Sequence, residues 1–328
     1  MEKIKIHFVC RGNIYRSRLA EAYLKSFQNP KWVISSSGID AEKQKTIHTS
    51  PWAEATAIQN GIAQWLTGTN TKTVQADLDD SDLIVFMSDD VYRDVQKTYT
   101  FNEDKSLVWH VKDRQNWPTT MPARQKRYGT FRQIKRNANT LIDDITAGGK
   151  WIDIIDEHNQ PRGFKLPIQI TNKKSLWHRG CHVVMTTPSG RTFIQQRSNN
   201  IIFAPGLVDV TLGGHVDTGE TPEEAAIREI HEEMGVSVDS HELDLIEVFK
   251  WNYYRPRYKT RTKAFIYTYH VRLTEENPAI VIQEDEVRAV RLLSPVALRR
   301  LLRYHRLVSG ARLNYSYAYY SRITKQLK

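Results

Sequence analysis

Between Gly214 and Val236 the chain sets Gly214, Glu220, Arg228, Glu229, Glu232, Glu233 and Gly235 at fixed offsets over 23 residues, and this stretch restricts the fold more than any other. Pro222 followed by Glu223, Glu224, Ala225 and Ala226 is a favourable helix start, and neither proline nor glycine interrupts the run until Gly235 supplies a stop. On that helix Glu229, Glu232 and Glu233 fall at i, i+3 and i+4. Their side chains project from one face and can converge on one hard cation. Arg228, beside them, can pair with Glu220 and tie the preceding loop to the helix. An ordinary solvated acidic helix needs neither the glycines nor Glu220 at those offsets.

The stretch resembles the Nudix box at every defining position: Gly214, five residues, Glu220, seven residues, Arg228-Glu229, an aliphatic, any residue, Glu232-Glu233, any residue, Gly235, an aliphatic. The resemblance implies Mg²⁺ or Mn²⁺ on Glu229, Glu232 and Glu233, polarising a diphosphate and activating water, with Glu232 and Glu233 as catalytic residues and Glu220 and Arg228 as the structural pair. The surrounding Trp151 to Glu157, Trp177-His178-Arg179, Phe203 to Gly206 and Gln283 to Val287 resemble the Nudix subgroup related to isopentenyl-diphosphate isomerase. Such isomerases place a cysteine two residues before a histidine that here is His215. Gly213 occupies the cysteine position, and the full glutamate set is kept. The expectation is a hydrolase on an isomerase-like frame, with an acid from Gln283-Glu284-Asp285-Glu286 as base or further ligand.

A second chemical signal lies at the other end. The aliphatic-rich run from Lys3 to Val9 suits a strand, and Ser17 to Phe27 has helical spacing. Between them, Cys10-Arg11-Gly12-Asn13-Ile14-Tyr15-Arg16-Ser17 puts a cysteine at a strand end, then a five-residue loop and an arginine at a helix start. Such a loop cradles a tetrahedral anion with backbone N–H groups. Cys10 would attack phosphorus, Arg16 would hold two equatorial oxygens, and Ser17 would stabilise the leaving thiolate.

This pattern resembles the low-molecular-weight protein tyrosine phosphatases, with Gly12-Asn13 inside the loop, Ser35-Ser36-Ser37-Gly38 as a turn and the apolar run ending at Met87. The resemblance assigns phosphate binding to Arg11, Gly12, Asn13, Ile14, Tyr15 and Ser17, and a phosphorylated substrate to this half. The family's general acid is an aspartate followed by proline. Asp113 is the best candidate here, with Arg114 in the proline position and Tyr15 where a second loop cysteine is common. An arsenate reductase would need further thiols, and Cys181 is the only other cysteine. Its apolar setting marks it as a small buried hydrophobe.

A chain of 328 residues that is 40% hydrophobic can bury two cores. Thr146 to Gly149 breaks a helix that starts near Tyr128, and Trp151 to Ile155 opens a new strand. The expected architecture is α/β throughout: residues 1–147 form a parallel sheet with helices on both faces, and residues 151–328 form a Nudix α/β/α sandwich. In the first half strands are expected at 4–9, 32–36, 83–87 and 106–111. In the second they are expected at 151–155, 180–186, 191–196, 244–252, 262–273 and 287–293. Two distant cysteines, a charged N-terminal strand and no long apolar run point to a reducing cytoplasm and no membrane span.

The net charge of +10 is uneven. From Val287 onward there are ten Lys or Arg and no Asp or Glu, and Arg255, Arg257, Lys259, Arg261 and Lys263 recur at period two among Tyr253, Tyr254 and Tyr258. Such a ridge suits a nucleotide or polyphosphate, or RNA, and equally a solvated hairpin. Tyr315 to Tyr320 is expected to pack across the domain. Two main readings follow: a bifunctional phosphohydrolase that cleaves a small-molecule diphosphate and a phosphomonoester, or a Nudix enzyme carrying a non-catalytic phosphate-binding domain. A nucleic-acid-processing Nudix protein is the third.

Overall fold

Ile4–Cys10 is an apolar strand, β1, with its last five residues buried. In the computed structural model, which describes residues 3–45, 48–66, 68–146, 149–201, 204–255, 260–304 and 317–327, the chain divides into two units, Met1–Gly149 and Lys150–Lys328. The first unit continues with α1 (Arg16–Lys25), β2 (Trp32–Gly38), α2 (Pro51–Gln59), α3 (Gln75–Asp79), β3 (Leu83–Phe86), α4 (Asp89–Thr98), β4 (Ser106–Val108) and α5 (Ala123–Thr146). Its four strands lie parallel in the order β2-β1-β3-β4, with Cys10 opposite Gly38 at the carboxyl end. Open parallel sheets bind ligands at that end. Val9, Ile84 and Phe86 pack on Leu78, Val91 and Val95 of α3 and α4, while α1 and α5 pack on each other at the other face.

The long helix α5 starts five residues before the expected position. Pro122 accepts from Lys126 and so opens the helix at Ala123, upstream of Tyr128. The five-residue α3 is too short to show a hydrophobic period, and it was not anticipated.

The second unit runs β5 (Trp151–Ile155), β6 (Pro161–Pro167), α6 (Ile168–Lys174), β7 (Trp177–Thr186), β8 (Thr192–Arg197), β9 (Val208–Asp209), α7 (Pro222–Met234), β10 (Leu243–Arg255), β11 (Thr260–Arg272), β12 (Val287–Leu293), α8 (Pro295–Tyr304) and α9 (Tyr317–Thr324). The strand path is β10-β11-β7-β5-β6, with β8 pairing β7, β9 and β12. Only the β11–β7 pair on this path is parallel. Proline at both ends, Gly163 and an exposed first half hide β6 from a search for alternating residues.

Alternate residues of β7 face opposite layers. Cys181, Val183 and Met185 pack with Ala225, Ala226, Ile230 and Met234 of α7, whereas Val184 packs with Leu298, Leu301 and Leu302 of α8 and Tyr319, Tyr320 and Ile323 of α9. Helices therefore cover both faces, giving an α/β/α sandwich. Two hydrogen bonds fasten α9 to the sheet: Tyr320 donates to Asp209 at 2.8 Å, and the Tyr319 hydroxyl meets His182 Nδ1 at 2.5 Å. Tyr315 lies outside the described residues. Among those described, no helix is long and apolar enough to cross a membrane.

Candidate functional sites

In the first unit the loop between β1 and α1 folds around its own cysteine. The Sγ of Cys10, almost fully buried, accepts from the backbone N–H of Asn13 at 3.1 Å and from the Ser17 hydroxyl at 3.0 Å. Among the described residues, the backbone N–H groups of Gly12, Ile14 and Tyr15 have no protein acceptor, as an anion cradle requires. Asn13 sits in the left-handed region at φ 51°. Its amide donates to Ser17 at 3.0 Å and Ser36 at 2.8 Å, and its carbonyl accepts from Thr71 N at 2.8 Å. Gly38 must lack a side chain, because a β-carbon there would stand 2.6 Å from Asn13 N and 2.8 Å from Arg11 O.

Arg16 is buried and aimed by three partners. Its Nη1 donates to Ser88 Oγ at 3.1 Å and Val111 O at 3.2 Å, and its Nη2 lies 3.0 Å from Asp113 Oδ2. The structure thus brings Cys10, Arg16, Ser17 and Asp113 to one loop. Asp113 also caps a short turn by accepting from Arg114 N at 2.6 Å. The Arg11 side chain is held by Asp40 at 3.0 Å, Asp90 at 2.7 Å and Asp94 at 2.9 Å. Burial drives the Tyr15 phenol up to about 12, so this ring is a neutral wall. Ser36 lies in the Ser35–Gly38 turn that the sequence singles out, whereas Thr71 and Ser88 belong to no motif.

In the second unit α7 is framed at both ends. Thr221 and Glu224 form a reciprocal capping box, with Glu224 N donating at 3.1 Å and Thr221 N at 2.7 Å, and Gly235 closes the helix at φ 67°. Arg228 donates to Glu220 through Nε at 2.7 Å and Nη2 at 3.0 Å, and also to His215 O at 3.1 Å. Its Nη1 reaches Glu229 at 2.8 Å and Glu232 at 3.1 Å. The hydrogen bonds it donates to Glu220 hold the Arg228 guanidinium well above its ordinary range despite partial burial.

Glu229 and Glu233 are buried, at 2% and 3% exposure, whereas Glu232 is exposed. Lys150 approaches Glu229 at 3.1 Å. Glu233 accepts from Gln195 Nε2 at 2.9 Å and Gly213 N at 3.3 Å. Burial, and then repulsion from Glu229, pushes the Glu233 carboxyl up to about 8. Glu286 also bears on Glu233, which singles it out within the Gln283–Glu286 segment.

The expected convergence is not preassembled. Among the described residues there is no group of three or more His, Cys, Asp or Glu side chains placed to hold a metal ion. The physical reason is competition: Arg228 and Lys150 occupy Glu229, Arg228 occupies Glu232, and Gln195 occupies Glu233. The donor chemistry nonetheless suits a hard divalent cation, since two buried carboxylates lie close enough for one to raise the other. Lys150 has no motif to betray it. Gln195, a glutamine in the apolar strand Phe193-Ile194, carried a readable signal that went unused.

Gly213 and Gly214 shape the loop over the sheet. At Gly213, φ is 139° and a β-carbon would stand 2.2 Å from Cys181 O; at Gly214 it would stand 2.3 Å from Glu229 Oε1. Burial raises the Cys181 thiol to about 12, consistent with a hydrophobe. Of the basic ridge, Arg261 donates to Asn252 at 2.8 Å and Lys263 lies over Trp177 at 5.9 Å. Arg257, Tyr258, Lys259 and Phe203 lie outside the described residues, as does the side chain of Arg255.

Residues 176–310 match the NUDIX domain family, and residues 5–144 match the low molecular weight phosphotyrosine protein phosphatase family. The uncharacterized Nudix hydrolase all7351 of Nostoc sp. is 31% identical over 125 residues, 38% of this chain and 70% of that protein. The uncharacterized Nudix hydrolase orf19 of Rhodococcus erythropolis is 33% identical over 97 residues, 29% of this chain and 52% of its own length. The chain thus spans about half of that relative, with 52% covered. A solved structure of a YwlE mutant from Bacillus subtilis shares 22% identity at a TM-score of 0.36, covering 43% of this chain and 99% of that one.

Proposed function

The chain belongs to the Nudix hydrolase family through its second unit and carries a low molecular weight phosphatase domain in its first, and on that premise we propose that it is a bifunctional phosphohydrolase. The second unit would cleave a diphosphate linked to another moiety, and the first would remove phosphate from a monoester. The observation that carries the reading is the single hydrogen-bonded set in which Arg228 joins Glu220, Glu229 and Glu232.

In the second unit, Glu229, Glu232 and Glu233 would hold Mg²⁺ or Mn²⁺, which supplies Lewis-acid polarisation of the diphosphate and a more acidic water. Arg228 and Glu220 fix the loop against the helix. Glu286 is the candidate to take the proton as water oxygen bonds to phosphorus and the P–O–P bridge breaks, leaving two phosphorylated products. The isomerase-like frame fits hydrolysis better than isomerisation. At Gly213, where isomerases carry their cysteine, Cys181 O leaves no room for a side chain.

In the first unit the Cys10 sulfur would bond to phosphorus while the ester oxygen leaves with a proton from Asp113. Arg16 and the loop N–H groups bind the equatorial oxygens. Water then hydrolyses the cysteinyl phosphate, Asp113 recovers a proton, and Ser17 receives the departing sulfur with a hydrogen bond.

Two variants test the halves separately. Glu233→Gln should abolish Mg²⁺-dependent hydrolysis, screened on nucleoside diphosphates, dinucleotides, nucleotide sugars and prenyl diphosphates, while sparing p-nitrophenyl phosphate hydrolysis. Cys10→Ser should do the reverse. Unchanged diphosphate turnover in Glu233→Gln sinks the first assignment. A wild-type protein inert toward p-nitrophenyl phosphate converts the N-terminal unit into a phosphate-binding regulatory domain.

A further inference from the structure

The two flanks of the Cys10 loop differ in how their cations are partnered. On one flank Asp40, Asp90 and Asp94 hold Arg11, at 3.0, 2.7 and 2.9 Å, and Asp40 and Asp94 also hold Lys43 at 2.6 Å and Lys97 at 2.8 Å. The segment 112–136 contains eight Lys or Arg and a single acid, Asp113, which Arg16 already pairs at 3.0 Å.

Two of those cations cover an aromatic ring beside the loop. The Arg114 guanidinium lies 4.2 Å from the Trp52 ring centre, and that of Arg127 lies 5.5 Å from it. Trp52 meets Tyr15 of the loop edge-on at 6.5 Å, so this covered ring borders the cradle on the Asp113 side. Among the described residues neither Arg114 nor Arg127 is matched by a carboxylate. An uncharged aryl leaving group gains little here, because stacking on Trp52 requires displacing a guanidinium. A second anion on the leaving group instead meets two uncompensated cations. Acidic side chains spread along a peptide would meet Arg11, Lys43 and Lys97 already held by Asp40, Asp90 and Asp94, whereas a compact anion needs only Arg114 and Arg127.

We propose that the Cys10 site acts on small phosphomonoesters whose leaving group carries a second phosphate, seated against Arg114 and Arg127 beside Trp52. The inference rests on reading Cys10 as the nucleophile of a phosphatase, and it narrows the substrate class of that site.

The test compares phosphate release by the full-length protein, in EDTA to silence the metal-dependent half, from adenosine 3′,5′-bisphosphate, adenosine 5′-monophosphate and p-nitrophenyl phosphate, with Cys10→Ser as blank. The expected result is a bisphosphate kcat/KM at least about fivefold above that of the monophosphate, shrinking with added salt. In the double variant Arg114→Gln, Arg127→Gln, the ratio should fall to about one, mainly through KM, with the thermal transition of the protein retained. Hydrolysis of p-nitrophenyl phosphate without a bisphosphate preference overturns the inference and leaves the phosphatase reading standing. A preference that survives the double substitution also overturns it. Failure to hydrolyse all three compounds overturns both. An acidic phosphotyrosine peptide preferred over the bisphosphate would show that the anion belongs to a protein substrate, and would likewise overturn the small-molecule assignment.

Discussion

Arg228 grips Glu220 through two nitrogens, Nε at 2.7 Å and Nη2 at 3.0 Å, while its third nitrogen serves Glu229 and Glu232. One guanidinium therefore sets the loop that precedes α7 and two of its glutamates. Lysine offers a single point of attachment and cannot reproduce the fork. Arg228→Lys is expected to destabilise the second unit by about 1–2 kcal/mol and to reduce diphosphate hydrolysis by more than about tenfold. Calorimetry and steady-state rates check the two effects. A variant with both values unchanged would remove Arg228 from this role.

Gly214→Ala tests how closely the loop lies over the acids. The added methyl would stand 2.3 Å from Glu229 Oε1, so either the loop or the glutamate must move. Because misplacement by about 1 Å can reduce turnover about 10²-fold, the Mg²⁺-dependent rate should fall on that scale while secondary structure persists. Circular dichroism together with the rate decides it; wild-type turnover would mean that Glu229 has free room.

Asn13→Ala tests the other loop. Asn13 is fully buried in the left-handed region, and its side chain satisfies Ser17, Ser36 and the N–H of Thr71. Alanine leaves the N–H of Thr71 without its acceptor, removes one donor each from Ser17 and Ser36, and tolerates φ 51° poorly. The expected loss is about 2–4 kcal/mol, read from urea unfolding of the first unit. Alkylation of Cys10 by iodoacetamide should also change, since Asn13 N donates to its sulfur. Wild-type values of both would refute this account of the loop.

His182 gives the second unit a pH dependence. Burial drives its imidazole down to about 4 from an unfolded value of 6.5. The unfolded chain therefore takes up the proton first as acid is added. The stabilisation is complete above pH 6.5 and is lost as pH falls through about 4, with roughly 3 kcal/mol at stake. Unfolding at several pH values should show this slope, and His182→Asn should flatten it between those limits. NMR titration of the ring with a midpoint near 6.5 would contradict the assignment.

Much of this was legible because short motifs impose backbone geometry. Cys10 to Ser17 forms the strand–loop–helix its spacing implies, and Pro222 and Gly235 bound α7 where the sequence places them. The α/β/α layering is what the Nudix resemblance implied, and the packing of alternate β7 residues against α7 on one face and α8 and α9 on the other agrees with it. Partners from distant strands were not legible. Lys150 and Glu229 are 79 positions apart, and Gln195 and Glu233 are 38 apart, so only the fold brings each pair together. The same distance hid the competition for the glutamates: spacing on one helix states which face they share, and says nothing of a lysine arriving from another element. The partners of Arg11 were hidden in the same way, since Asp90 and Asp94 on α4, which hold its side chain, lie 79 and 83 positions away.

The capping box at Thr221 and the left-handed Gly235 hold α7 at thirteen residues, leaving no slack at either end. Each added residue turns a helix by about 100°, so one insertion between Arg228 and Glu233 would swing the later acid off the sheet and toward water. The second unit is thus keyed to turn count: it can absorb exchanges on the helix's wet side, but a change of register by a single position would dismantle the cluster while leaving every letter of the motif present.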